Sequence, residues 1–224
     1  MKGTWPPRGL LPVTGPVDRV ELYHRPIVGR VLRRRASWID SVLTGRPPDN
    51  LLEVGYGSGI LQPALARHAK SLYGIDIHPH ASEVADRLSS FGISTRLLQG
   101  DGQHLPFADA SLGIVVMVST LSFIPDPAAA LREAKRVLRP GGRLVALVAR
   151  ALPFTDQMWG RLSGRNAGAD FGRRRQQVRA AITAELPVTR RQRRPYGLPP
   201  GLAPYELVVA DKPLGLDDLP AGRS

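Results

Sequence analysis

The stretch that most restricts how this chain can fold is Asn50-Leu51-Leu52-Glu53-Val54-Gly55-Tyr56-Gly57-Ser58-Gly59. An apolar run carries an acid near its end, three glycines come next at alternate positions, and a helical pattern begins at Ile60. A strand feeding a tight turn and then a helix gives such a pattern, with the helix N-terminus aimed at a bound group. Glycine permits the sharp bend and lets a ligand come closer than a Cβ would allow. The spacing is G-x-G-x-G, not the G-x-G-x-x-G dinucleotide fingerprint. A turn of this kind also serves as a purely structural connection, so the rest of the chain has to decide its meaning.

Downstream of the bend, strand and helix patterns alternate regularly. Strands are expected over 50–54, 71–75, 94–98, 112–118 and 143–149, with helices over 60–70, 79–90 and 126–138. The 112–118 run, Leu-Gly-Ile-Val-Val-Met-Val, is almost unbroken apolar sequence, as a strand covered on both faces requires. Alternating strands and helices argue for a doubly wound, mainly parallel sheet with ligands at the carboxyl ends of the strands. Before this block, residues 20–43 have a helical pattern divided by Pro26, and the first 20 residues read as an extended, partly mobile arm with four prolines and three glycines. After Arg150, short helices are expected over 153–162 and 173–186. Residues 188–193 and 205–210 are expected to pair as antiparallel strands, with a frayed tail from 213. The resulting divisions are 1–48 (basic arm and amphipathic helix, on the substrate side), 49–149 (ligand-binding core), 150–212 (further substrate-side elements and closing strands) and 213–224 (tail).

Three acids fall where strands of such a sheet end: Glu53, Asp76 and Asp101. Asp76 stands seventeen positions beyond Gly59, roughly where a carboxylate meets ribose hydroxyls in nucleoside-binding sheets. A helix cap is the structural alternative for it. His78 and His80 form an H-x-H pair without a third ligand nearby in sequence, so they read as loop and cap rather than as a metal site, with Pro79 at the helix start.

Charge divides the chain further. Of its 224 residues, 1–48 hold nine Lys/Arg against three acids, 49–149 nine against nine, and 150–224 thirteen against seven. A neutral core thus lies between two basic ends. Twenty-seven of the 31 cations are arginine, which suits planar, bidentate contact with phosphate or carboxylate. There is no cysteine, which removes disulfides, thiol nucleophiles and thiolate metal sites. No apolar run approaches the roughly 18–20 residues of a membrane span, and the N-terminus lacks a signal-peptide core. A cytoplasmic protein is expected.

Taken together, Leu51–Gly59, Tyr73-Gly74-Ile75-Asp76-Ile77-His78-Pro79, Gln99-Gly100-Asp101-Gly102-Gln103-His104-Leu105-Pro106-Phe107 and the segment Leu131-Arg132-Glu133 through Gly141-Gly142-Arg143-Leu144 resemble successive motifs of the class I S-adenosylmethionine-dependent methyltransferases, in particular the ubiquinone-biosynthesis-like type 11 subgroup. Tyr205-Glu206-Leu207-Val208-Val209-Ala210 is similar to the family's closing strand. The resemblance implies a Rossmann-like α/β fold: a doubly wound, seven-stranded, mainly parallel sheet with a reversed last strand. It implies S-adenosyl-L-methionine as cofactor. Glu53 and the turn of Gly55, Tyr56, Gly57 and Gly59 would hold its methionine portion, and Asp76 the ribose hydroxyls. Asp101 and the Gly102 N–H would meet the adenine edge, and Ile77 its face. Ser119, after the fourth strand, would complete the set. Two departures stand out. Leu112-Gly113 replaces the family's usual Phe-Asp, and Ser119-Thr120-Leu121-Ser122-Phe123 lacks the histidine some members carry. No general base is evident; Tyr23 and His24 are the candidates outside the core.

Methyl transfer from a sulfonium is an in-line displacement in which positioning supplies much of the acceleration. The leading expectation is transfer to a small or amphiphilic anionic acceptor bound by the basic flanks. A lipid head group at an anionic membrane surface, contacted by residues 20–43, is the nearest variant. Nucleic-acid methylation is disfavoured by the sparse aromatics among the arginines. A non-catalytic cofactor-binding module is the remaining class.

Overall fold

A computed structural model describes residues 5–16, 18–43, 49–150, 167–195 and 203–214. Its sheet has seven strands: β1 (Asn50–Val54), β2 (Ser71–Asp76), β3 (Arg96–Gln99), β4 (Leu112–Val118), β5 (Leu138–Ala149), β6 (Val188–Arg194) and β7 (Tyr205–Asp211). They lie in the order β3-β2-β1-β4-β5-β7-β6. The first five pair in parallel, and β7 runs antiparallel to both β5 and β6. This is the doubly wound, Rossmann-like sheet with the reversed last strand that the sequence led us to expect. The chain winds outward to β3, returns, and winds the other way from β4, so the order reverses between β1 and β4. A crevice opens at such a reversal, beyond the carboxyl ends of the two strands.

Alternation along the strands sorts side chains to two faces. Leu51, Ile114, Val116, Val145, Leu147, Leu207 and Val209 face helix α1 (Pro26–Leu43), the single turn α2 (Gln62–Leu65) and α3 (Ala81–Ser90). Leu52, Val54, Val115, Met117, Leu144, Ala146 and Val208 face α4 (Pro127–Val137) and α5 (Ala167–Glu185). Every residue of β4 is buried, as a central strand between two helical layers must be.

The N-terminal part is more closely attached than an extended arm. Leu11 and Thr14 are buried, Thr14 bonds Asp18 through both its N–H and its hydroxyl, and Val20–His24 form a 3-10 turn that leads into α1 at Pro26. Residues 20–43 pack onto the domain: Leu32, Ala36, Ile39, Val42 and Leu43 are buried against the sheet. Helix 60–70 is cut to α2 and a 3-10 turn at Ala66–His68, after which Ala69 is extended. The turn expected at 139–142 is instead looped out within β5: Leu112 pairs with Leu138 and Ile114 with Arg143. That loop lies against Gly113, whose carbonyl would be 3.2 Å from a Cβ at Gly142. The Leu112-Gly113 departure therefore sits at the amino end of β4 and allows a close backbone approach, remote from the crevice. The helix expected over 153–162 and most of the tail from 213 lie outside the described residues.

Candidate active site

The glycine bend leaves β1 with Gly55 at φ +79°, its N–H donating to the Ile75 carbonyl at 2.8 Å. A Cβ at Gly55 would overlap the Thr120 side chain, which comes from the loop after β4. At Gly59, φ +77°, a Cβ would stand 2.9 Å from both Val84 and Leu88 of α3. The bend is thus pinned between neighbouring elements at both ends. Over its middle the space is open: a Cβ at Gly57 would meet nothing nearer than the Asp18 carboxyl at 3.9 Å.

The acids converge on this bend. Asp76, at the tip of β2, accepts the Gly57 N–H at 2.8 Å through one carboxylate oxygen. Glu53 is 1% exposed and accepts the Gln62 amide at 2.6 Å; Gln62 in turn accepts the Thr95 hydroxyl at 2.6 Å. Burial pushes the Glu53 carboxyl up to about 8, with the Asp76 charge adding to the rise and Gln62 and Arg35 opposing it. At neutral pH Glu53 is therefore mostly protonated, a state a nearby cation would reverse. Tyr56 is buried edge-on to His78, at 4.9 Å between ring centroids, and its hydroxyl has no hydrogen-bond partner among the described residues. Burial raises the Tyr56 phenol, with Asp76 contributing. His78 reaches the Gly57 carbonyl at 2.9 Å and accepts the His80 N–H at 3.1 Å, which gives the histidine pair a role in bracing the bend.

Beyond β3, both Asp101 oxygens accept the Gln103 side-chain amide, at 3.1 and 2.8 Å, and one also accepts the Gln103 N–H at 2.9 Å. Arg136 of α4 fixes this loop by donating to the carbonyls of Leu105 and Phe107 while pairing with Glu133 and Asp109; Glu133 takes the Leu105 N–H. Gly102 is buried with no room for a side chain, since a Cβ would stand 2.8 Å from Val54. Ile77 is 74% exposed.

Ser119, past the end of β4, adopts φ +59°, uncommon for a residue with a side chain and typical of functional loops. Its hydroxyl accepts from Arg35 at 3.2 Å. The structure therefore groups Glu53, Gly55, Tyr56, Gly57, Gly59, Asp76, Ile77, Asp101, Gly102 and Ser119 along the carboxyl ends of β1 to β4. Tyr23 sits beside this group, buried, with its hydroxyl bonded by Arg35, and burial holds its phenol above the ordinary range. His24 lines a shallow depression of the N-terminal segment with Arg8, Leu11, Val13 and Glu21. Partial burial, then Arg33 and Arg8, keep its imidazole below the usual value, hence neutral near pH 7.

Sequence reasoning missed two members. Gln62 reads as an ordinary helix residue, yet it is fully buried against Glu53. Arg35 reads as part of a solvated run, yet it is 9% exposed with its guanidinium over the rings of Tyr23 and Tyr205. Helical spacing held the clue, because Arg35 falls on the stripe of Leu32, Ile39 and Val42. Arg33 is also turned inward, donating to the Tyr23 carbonyl. A uniformly basic outer face on α1 is thus not what forms.

Comparison with known proteins agrees with this geometry. Residues 52–146 match the family model described as a methyltransferase domain. Over those residues the chain is thus similar to methyltransferase domains of the type 11 family, on a Rossmann-like sheet. Over 115 residues the chain is 38% identical to a demethylmenaquinone methyltransferase of Tropheryma whipplei (strain Twist), covering 50% of this chain and 46% of that protein. It is 30% identical over 97 residues to a sterol 4-C-methyltransferase of Caenorhabditis elegans, covering 42% and 29%. In fold, it resembles the geranyl diphosphate C-methyltransferase of Streptomyces coelicolor A3(2) with a TM-score of 0.62 at 18% identity, over 89% of this chain and 90% of that one. The chain spans about half the length of the first of these relatives. Among the described residues, no helix is long and apolar enough to cross a membrane.

Proposed function

We propose that the protein is an S-adenosyl-L-methionine-dependent methyltransferase acting on a small or amphiphilic acceptor that carries phosphate or carboxylate. One observation carries the reading: a carboxylate at the tip of β2 is bonded to the open middle of the glycine bend, with a second carboxyl, Glu53, buried alongside. The residues present fit a cationic nucleoside. Glu53, steadied by Gln62, would hold an ammonium and give up its proton as it does so. The free edge of Asp76 would accept hydroxyls, and charged acceptors make such bonds stronger than neutral ones. Ile77 would cover a base, Asp101 would take its amino group in place of the Gln103 amide, and Gly102 would present its N–H. Ser119, Tyr56 and the bend would close around the remainder.

The cofactor supplies an electrophilic methyl group on a sulfonium. The chain's own contribution is to bind, orient and exclude water, which can be worth much of the acceleration. For the acceptor, the flanks offer exposed cations: Arg25, Arg30 and Arg34 on the α1 side, and Arg190 and Arg193 on β6. Relatives named for quinone, sterol and geranyl diphosphate substrates make a bulky apolar acceptor reasonable, and the arginines favour one that is also anionic.

The test is transfer of label from methyl-tritiated S-adenosylmethionine into a small-molecule extract, with fractions separated by anion exchange. Label in an anion-retained compound is expected, and Asp76→Ala should abolish it. Binding of the cofactor without transfer to any fraction would leave only a cofactor-binding module. Absence of binding would sink the proposal entirely.

A further inference from the structure

We infer that Arg150, Arg179 and Arg193, gathered where the carboxyl end of β5 meets β6, β7 and α5, form a receptor for a phosphate or diphosphate group, and that this group is the anionic end of the methyl acceptor. The second half rests on the proposed transfer reaction. It replaces a diffuse basic flank with a defined place and narrows the anion to one carrying two or more charges.

Val148 of β5, Glu206 of β7 and Arg193 of β6 are partners in one row across three strands, and partners in register share a face of the sheet. Val148 belongs to the layer on the α5 side, so Glu206 and Arg193 are on that side as well. Arg150 stands two residues past Val148 and falls on the same side by strand alternation. Its N–H donates to the Pro204 carbonyl and its guanidinium to the Ala203 carbonyl, both at 2.9 Å. From α5, Arg179 reaches Glu206 at 3.4 Å; Arg191 reaches it at 4.0 Å and donates to the Thr183 hydroxyl at 3.2 Å. Glu206 is thus satisfied, but four guanidiniums share one carboxylate, and the surplus is positive. Arg150 registers the crowding: burial, then the charge of Arg193, hold its guanidinium below the ordinary range, with Glu206 opposing and Arg179 adding. Arg193 is exposed and makes neither a hydrogen bond nor an ion pair among the described residues.

β6 is an edge of the sheet, and charges on an edge strand discourage pairing with other chains. That accounts for arginines on β6. It does not account for Arg150, which continues an interior strand, or for Arg179 on a helix. Like charges held close together disfavour one another, and a dianion lying between them removes that cost. Guanidiniums match phosphate oxygens with paired donors, whereas a single carboxylate would offset only part of the surplus. The place also suits the reaction. Ser119, in the loop after β4, donates its N–H to the Leu147 carbonyl at 2.8 Å. Arg150 is three residues further on, roughly 10 Å along a strand that rises about 3.3 Å per residue. An acceptor anchored there by its phosphate would extend its reacting end back toward Ser119 and the glycine bend, with an elongated apolar body between the two ends.

Titration calorimetry of the full chain with inorganic pyrophosphate and with acetate reads the site without the acceptor. Pyrophosphate should bind at least about 10-fold more tightly than acetate, and Arg150→Gln and Arg193→Gln should each weaken it by about 10-fold. Arg193→Lys should recover part of the loss. Arg87→Gln removes the same charge from an exposed position on α3 and should change the affinity by less than about 2-fold. Arg193 is exposed on an edge strand, so its variant keeps the test open even if Arg150→Gln fails to fold. No binding of pyrophosphate, affinity undiminished in Arg193→Gln, or equal weakening by Arg87→Gln overturns the site. For the acceptor, label transfer is repeated with an extract first treated with phosphatase. Loss of the labelled product is expected; transfer undiminished by the treatment overturns the assignment and leaves the transferase reading intact. Failure of the parent chain to bind S-adenosylmethionine would sink the transfer reaction and the acceptor assignment together, while pyrophosphate binding that Arg193→Gln weakens would still support the anion site.

Discussion

The two faces of the sheet bury carboxylates in opposite ways. On the α5 face, Glu206 of β7 is 3% exposed and has Arg179 at 3.4 Å and Arg191 at 4.0 Å. On the α1 face, Glu53 of β1 is equally buried, but its direct partner is the neutral amide of Gln62. Arg35, close enough to matter electrostatically, is spent on hydroxyls and a carbonyl. A face built only for stability pairs its buried charges or omits them. The α4/α5 face does the former for Glu206, within a mostly apolar layer. The other face keeps two polar groups that do not satisfy each other, beside a bend that is pinned at both ends and open over its middle. Such mismatches gather at sites whose missing partner is a ligand.

The largest effect expected in breaking this contrast comes from the bend. Gly55→Ala forces a side chain into a left-handed backbone and into Thr120, which should cost about 3 kcal/mol of stability. Urea unfolding would measure it, and a loss below about 1 kcal/mol would show that the bend and the β4 loop are not locked together.

Next is a difference in sign. In the folded chain Glu53 keeps its proton up to about pH 8, whereas an unfolded glutamate loses it near its ordinary value of about 4.3. Between those two pH values the folded state binds the extra proton, so this group's contribution to stability falls as pH rises and levels off above 8. Glu53→Gln removes that loss. It should stabilise the apo protein by a few kcal/mol at pH 8, with little difference near pH 4. Glu206→Gln should instead destabilise by about 1–2 kcal/mol, because two half-exposed arginines lose their counter-charge and must be re-solvated. If both variants move the urea midpoint in the same direction at pH 8, the two faces are not distinct in the way described.

A smaller and more specific effect is expected on binding. If a ligand ammonium ionises Glu53, association near pH 7 should release close to one proton, about 0.9 from a group with its midpoint near 8. Calorimetry in two buffers of different ionisation enthalpy counts those protons directly. At pH 9.5 the release should vanish, and Glu53→Gln should abolish it at every pH. Release persisting in that variant would assign the proton to another group.

How much of this the sequence disclosed also divides by face. The neutral core was legible because its physics is periodic. The β4 run could only be a doubly covered strand, and the acids at the tips of β1 and β2 fell into place once the strands were set. The helix expected over 126–138 is found as α4, Pro127–Val137. Illegible was anything that depends on one element turning a polar side chain toward another far away in sequence. Arg35 meets Ser119 across 84 positions and Gln62 meets Thr95 across 33. Local charge density made Arg33, Arg34 and Arg35 look alike, while helical geometry separated them into half-buried, exposed and buried. The early end of α2 was missed because nothing in the 60–70 pattern shows that the chain must straighten at Ala69 to enter β2.

The smallest expected effect tests whether the faces are independent. Asp126 caps α4, its carboxylate accepting the N–H groups of Ala128 at 2.9 Å and Ala129 at 3.1 Å, with Pro127 in the first helical turn. Asp126→Ala leaves those donors to water and should lower stability by about 1 kcal/mol, while Asp126→Asn should restore most of it. The substitution keeps the Asp126 N–H, which donates to the Gln103 side-chain Oε1 at 3.0 Å and so holds the loop bearing Asp101. Cofactor affinity should therefore change by less than about 2-fold, since the backbone bond to Gln103 is unaltered. A loss of tenfold or more would mean that the cap reaches the adenine side through Gln103. In that case the apolar face would be part of the site's support and not merely its floor.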